Sequence, residues 1–390
     1  MKKFKLNLVW VLIAAIFATG SCKKDNSSTP LIEDGAYIVG TSTVSSDLDL
    51  KGMMASGLIE GAGYAATPRD GMYEKFTYIN STGDGFHFVV KNGAEELNYG
   101  FAAATKGTLV LAGANDQITA TVDTGAVVLN GANITVTTSG FYHIVLDKTT
   151  MAYYVIPVNN WNIKLTDDIE MIPGTISQTS ATWSKTNVEL RKGTYKLRYD
   201  KGWKINAHGS GASGFKIFTN FGGTKDALAL GGGNIPLALA DEGKYTVTLK
   251  WNPLAGFTMT LTDKVAVVPV DPATFVWSLI GNAFYKADGT TQADWNYDVD
   301  LPYLSKTGNV YTYKVNSVQL LAGGSFKVRK DHAWAGGDFG FAGTTLAGDA
   351  ANFTNDGGNL KVTATKTYSV TYELDWALDT RKLTFTVLTK

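Results

Sequence analysis

Apolar and polar residues alternate over short stretches along most of the chain. In Tyr245-Thr-Val-Thr-Leu and in Leu383-Thr-Phe-Thr-Val the apolar side chains recur at every second position. Successive side chains of a strand point to opposite faces, so this period predicts half-buried β-strands. The segment Ala152–Val158 is read as another alternating strand. Beyond the first twenty residues no stretch keeps a 3.6-residue period. Many short strands separated by glycine-rich turns predict an all-β fold of immunoglobulin-like β-sandwiches.

The pattern repeats three times. Gly193–Gly209 (GTYKLRYDKGWKINAHG) and Gly324–Gly340 (GSFKVRKDHAWAGGDFG) align without a gap, sharing Lys, Arg, Asp and Trp at their fourth, sixth, eighth and eleventh positions; Gly85–Gly100 is a weaker copy. A second block follows each: Gly131–Leu146, Gly232–Leu249 and Gly357–Leu374. An aromatic strand opens each unit, at Ala36–Gly40, Asn160–Leu165 and Val276–Gly281. These repeats divide the chain into units 32–158, 159–265 and 272–390, each long enough for a core of its own. Boundaries are expected near Pro157–Asn160 and in the proline-bearing stretch Val265–Pro272.

The first twenty-one residues do not belong to the fold. Lys2, Lys3 and Lys5 precede an apolar run, Leu8 to Phe17, too short for the ~20 residues that span a bilayer. Ala18-Thr19-Gly20-Ser21 then leads to Cys22, the single cysteine of the chain. Small residues before a lone cysteine resemble a bacterial lipobox. The resemblance implies a lipoprotein signal peptide over 1–21, with Cys22 acylated and residues 22–31 as a polar tether. Acyl burial gains ~0.8 kcal/mol per CH₂, so the expected partner of Cys22 is membrane lipid. Lys23-Lys24-Asp25 resembles the tags that send some lipoproteins to the outer face of the outer membrane.

Composition narrows the function. Hydrophobic residues are 44%, charged residues only 18%, and Lys+Arg equals Asp+Glu at 35 each. With no basic excess, nucleic acid is not an expected partner. With Cys22 acylated, no thiol remains for a disulfide and stability must come from cores. His87, His143, His208 and His332 lack metal-ligand spacing, and no nucleophile motif is present. Asp294, Asp298 and Asp300 are considered as Ca²⁺ ligands but lack the ordered EF-hand pattern. No catalytic residue, metal or cofactor is expected.

The string Phe326–Trp334 (FKVRKDHAW), followed by Gly357–Leu360 (GGNL) and an alternating Tyr-x-Val strand, resembles the SusE/SusF family. These are outer-membrane lipoproteins of the starch-utilisation type, built of tandem β-sandwich carbohydrate-binding modules. The resemblance covers units two and three well and unit one loosely, because unit one lacks the Lys, Arg and Trp of the block. It implies polysaccharide binding without cleavage, α-glucan being the favoured ligand, and a TonB-dependent glycan-uptake complex as a partner. Unit one is then a degenerate module that spaces the others or contacts a partner. The competing class is a structural or adhesive lipoprotein whose sandwiches bind protein.

Strand alternation points Phe326 and Val328 to the core and Lys327 and Arg329 outward, with Trp334 five residues on. Sugar C–H faces pack on flat rings, and hydroxyls need directed donors, so Trp beside Lys and Arg suits a glycan. Trp295 lies among Asp294, Asn296 and Asp298 in a long loop and is expected to be exposed. Tyr285 in the same loop and Asn359 in the Gly-Gly-Asn turn are further candidates. Lys196, Arg198 and Trp203 are the unit-two equivalents, whose first loop, 166–182, holds no aromatic. Trp161, Trp183 and Trp277 are read as core.

Overall fold

The computed structural model describes residues 32–113, 116–207, 214–334 and 337–389. The expected signal peptide over 1–21 and the expected lipidated tether over 22–31, with Cys22, lie outside the described residues. The described chain is built of β-strands joined by turns and short 3₁₀ segments, in antiparallel sheets that form β-sandwiches.

Unit three is the simplest. One sheet runs in the order Asp298–Leu301, Trp277–Gly281, Ser325–Lys330, Asn359–Val362, Phe353–Asp356. The facing sheet contains Tyr303–Thr307, Val310–Leu320, Lys366–Asp375 and Thr380–Val387, and its edge is covered by Thr345–Gly348 running parallel to the last strand. Trp277, Leu279, Phe326, Val328, Tyr313, Tyr372 and Phe385 fill the space between them. Unit two repeats the plan. Trp161–Lys164 lies between Asp168–Glu170 and Gly193–Tyr199, and the opposite sheet is Ile172–Ile176, Ala181–Leu190, Gly243–Asn252, Gly256–Val265. Trp161, Trp183 and Trp277 are buried, as their strand positions predict.

Unit one does not stand apart. Its strands Ala66–Ile79, Gly140–Asp147 and Ala152–Pro157 are neighbours in an eleven-stranded sheet. Ile79, Ile144, Leu146, Tyr153 and Val155 face a core internal to unit one. Met72, Phe76, Phe141, Val145, Tyr154 and Ile156, on the other face of the same strands, join Trp161, Trp183, Tyr199 and Trp251 of unit two in one cluster. Ala152–Val158 is therefore not an amphipathic strand. The run Tyr153 to Ile156 is buried on both faces, the pattern of a strand sandwiched between two layers. Unit three has a core of its own, and unit one has an internal core in addition to the cluster that it shares with unit two.

Two further features bind this seam. The hairpin Lys204–Ala207 and Phe215–Phe218 of unit two extends the unit-one sheet, with Ile217 registered against Ile59. His143 of unit one is fully buried, 3.1 Å from the Tyr199 hydroxyl of unit two and 3.0 Å from Glu74, and Phe76 stacks on its ring at 4.1 Å. Unit three touches unit two more lightly, with Lys192 lying 4.0 Å from the Trp376 ring centroid.

Phe141 packs edge-on to Trp183 at 5.1 Å and to Trp251 at 5.0 Å across the seam. Phe141→Ala should destabilise units one and two together by about 3–5 kcal/mol. Scanning calorimetry of the chain should show one transition lowered and the unit-three transition unmoved. Independent melting of units one and two would count against the shared core.

Candidate functional site

The outer face of the unit-three sheet is set by its register. Phe326 and Val328 are fully buried in the core, which turns Lys327 and Arg329 to the opposite face. Ser278 lies opposite Arg329, and Ile280 lies opposite both Lys327 and Asp298. Arg329 Nε donates to Asp298 Oδ1 at 2.8 Å and its Nη2 donates to Oδ2, a two-pronged pairing. Ser278 Oγ adds a 2.6 Å bond to Asp298 Oδ1. Burial pushes the Asp298 carboxyl up, but the bonds from Arg329 and Ser278 outweigh it and hold the group below the ordinary aspartate range. Such forks fix a guanidinium in plane and orientation.

The chain then reverses. Asp331 and His332 both adopt left-handed backbone, with φ of 52° and 55°. Aspartate is among the non-glycine residues that tolerate this conformation best. The turn is pinned where Asp331 Oδ1 accepts from the Val276 amide at 3.0 Å, and His332 Nε2 lies 2.7 Å from Asp300. The reversal brings Trp334 back over Arg329, with the guanidinium carbon 4.9 Å from the ring centroid. Trp295 lies beside it, 6.1 Å between centroids and tilted by 42°. Trp334 is 47% exposed and Trp295 half-buried. Two indoles thus meet at an angle on the surface, braced from below by a fixed cation.

Lys327 shares this face and donates to Asp338 at 2.9 Å. Phe326 pairs with Leu360, after which Phe339 takes over as the partner of Val328, and Asn359 is half-buried at the start of the strand that Phe326 pairs with. Tyr285 is half-buried in the Trp295 loop, bridged to Gln292. The arrangement offers apolar ring faces together with ammonium and amide donors at their margin, which is what a pyranose needs. The three aspartates considered for Ca²⁺ do not converge: Asp298 serves Arg329, Asp300 pairs with His332, and Asp294 caps a turn and lies 3.6 Å from Lys286.

Unit two repeats the geometry. Arg198 Nε donates to Asp168 Oδ1 at 2.7 Å and Nη2 to Oδ2. Asp200 and Lys201 form the left-handed turn, with φ of 48° and 57°, and Asp200 Oδ1 accepts from the Asn160 amide at 3.0 Å. Trp203 returns over Arg198 at 4.5 Å and Lys196 at 5.7 Å. Lys196 Nζ donates to Asn220 at 3.0 Å, and burial lowers its affinity for a proton. The differences are telling. Among the described residues no second aromatic ring joins Trp203. Its amide donates to Asp116 of unit one at 2.7 Å. Gly202 stands where unit three has Ala333, because a Cβ there would meet Ile118 of unit one at 2.4 Å.

Sequence reasoning placed the Lys, Arg and Trp side chains but not Asp168 and Asp298, which engage two of the three guanidinium nitrogens. The signal was present: Asp168-Ile-Glu170 and Asp298-Val-Asp300 are matching acidic alternations on the strand beside each aromatic strand.

No protein-family model matches the chain, and no curated protein matches it. Among solved structures, the crystal structure of SusF from Bacteroides thetaiotaomicron aligns over 90% of this chain and 76% of its own, with 13% identity and a TM-score of 0.23. A superposition that loose fixes neither topology nor site, so the fold assignment rests on the sheets themselves.

Asp298→Ala should cost unit three about 3 kcal/mol, because it strands a largely buried Arg329, seen as a lowered unit-three melting transition. A depressed carboxyl pKa contributes stability fully present above the unfolded aspartate value of about 3.9 and lost as pH falls through the lower folded value. The Arg329–Asp298 contribution should therefore be constant from neutral pH to about 5 and decline progressively as pH falls below about 4. Pair-dependent loss between pH 5 and 7, judged against Asp298→Ala, would contradict it.

Proposed function

We propose that the chain is a cell-surface lipoprotein that binds polysaccharide, α-glucan foremost, without cleaving it. The observation that carries this reading is the tilted Trp295–Trp334 pair over the Asp298-bound Arg329. A helical glucan presents a curved apolar flank, and two indoles set at an angle match a curved flank better than one ring does. Arg329 keeps Nη1 as its uncommitted nitrogen among the described residues, so its main part is to hold Trp334, while Lys327, Asn359 and Tyr285 reach hydroxyls at the margin. Unit two offers a narrower patch from Lys196, Arg198 and Trp203. In this reading the chain divides into units 32–158, 159–265 and 272–390, with unit one as a degenerate sandwich that carries no equivalent patch among the described residues. Acylation of Cys22 would anchor the protein in the outer membrane facing outward, where it would hold glycan for a TonB-dependent uptake complex. The lipobox-like segment and the resemblance of the Lys-x-Arg…Trp block support that setting.

The test is binding of the protein to insoluble and soluble α-glucans, with Trp334→Ala. Loss of one platform ring should weaken binding roughly 30-fold, about 2 kcal/mol, while the melting temperature changes little because the ring is half-exposed. A folded variant with unchanged affinity would remove Trp334 from the site.

A further inference from the structure

The seam between units one and two carries an open polar cleft of about 380 Å³, with Gln117 and Thr119 on one side and Asn162, Glu170, Asp200 and Lys201 on the other. Its volume falls within the about 300–1,000 Å³ typical of small-ligand clefts. Asn162 is fully buried, yet neither its side-chain oxygen nor its nitrogen has a hydrogen-bond partner among the described residues. A buried amide left in that state is destabilising.

Unit three shows what a closed version of this corner looks like. Ser278 occupies the place of Asn162, opposite the arginine of the block, and gives its proton to Asp298. Asp300 and His332, at the places of Glu170 and Lys201, are joined at 2.7 Å. In unit two, no ion pair joins Glu170 to Lys201 among the described residues, and the corner is open. With its amide group set to suit its neighbours, Asn160 donates to Glu170 at 3.3 Å.

The orphaned amide defines the ligand. It needs a partner that both donates and accepts. A cation would meet the oxygen and leave the nitrogen unpaired; an anion would meet Lys201 but also face both Glu170 and Asp200. Asp200 is also largely committed, accepting from the Asn159 and Asn160 amides and the Asn159 side chain. Hydroxyl groups satisfy both needs, and a vicinal pair can bridge the amide in two bonds. No aromatic residue lines the cleft among the described residues, so binding would be by hydrogen bonds, unlike the aromatic platform of unit three.

We propose that this cleft is a second saccharide site, taking a single neutral sugar ring, such as a chain end, through its hydroxyls. It rests on the proposed function only in choosing a sugar over another polyol. Asn162 lies opposite Arg198, which Trp203 covers, so the pocket adjoins the unit-two patch.

The test is calorimetric titration of the full chain carrying Trp334→Ala, so that the platform cannot stand in, with glucose and separately with CaCl₂. Glucose should bind with a dissociation constant on the order of 1 mM. Adding Asn162→Leu should weaken this at least tenfold while the melting temperature holds or rises, since an apolar side chain removes an unpaired polar group. Glu170→Gln, at an exposed position, should weaken glucose binding without affecting folding. The proposal is overturned by absence of glucose binding, by binding that survives both substitutions, by Ca²⁺ binding that excludes glucose, or by a lowered melting temperature in Asn162→Leu, which would make the amide a structural, water-bonded group. Failure of Trp334→Ala to alter polysaccharide affinity would remove the platform and leave this pocket standing.

Discussion

The sheet of unit one has two apolar faces, and everything near the first boundary follows from that constraint. A strand whose neighbouring residues are all apolar cannot leave either side in water at ~25 cal/mol per Å² of apolar surface. Ile144 and Tyr153 are covered from within unit one, while Phe141, Val145, Tyr154 and Ile156 need unit two. The shared cluster, the hairpin laid against Ile59 and the buried His143–Tyr199 contact are three expressions of one requirement. The polar cleft lies where the loops around this apolar contact meet.

Units two and three show how a repeated block diverges when its surroundings change. Both keep the arginine fork to an acidic neighbour and the left-handed turn that returns a tryptophan over it. In unit three that tryptophan meets a second ring and stays open to solvent. In unit two the loop around Asp116 and Ile118 reaches the same turn. The duplicated residues thus supply a common frame, and neighbouring segments decide what the frame presents.

Much of the fold was legible because strand periodicity is local. Phe326 to Arg329 alternate as their letters suggest, and Trp161 and Trp277 are core because they open strands. The left-handed turn was legible only as spacing, five residues from arginine to tryptophan. The double-sided burial of Tyr153 to Ile156 was not, since a continuous apolar run does not say what covers its second face. Arg198 and Arg329 were read as sugar donors because their acidic partners lie some thirty residues away, beyond any local pattern. The orphaned Asn162 is invisible in sequence, because only three-dimensional neighbours reveal that an amide has none.

The hairpin that completes the unit-one sheet has a consequence for biogenesis. Chains emerge and fold from the N-terminus, and unit one appears well before the strands Lys204–Ala207 and Phe215–Phe218 and the core residues of unit two exist to cover its second face. Until they arrive, Phe141, Tyr154 and Ile156 form an exposed apolar surface, and the strand Ala55–Glu60, paired on one side with Ala66–Ile79, leaves its other edge open. Such a surface is sticky to any passing chain. The nascent protein therefore has a period of vulnerability that ends only with the arrival of unit two, and holdase chaperones would act on it during that interval.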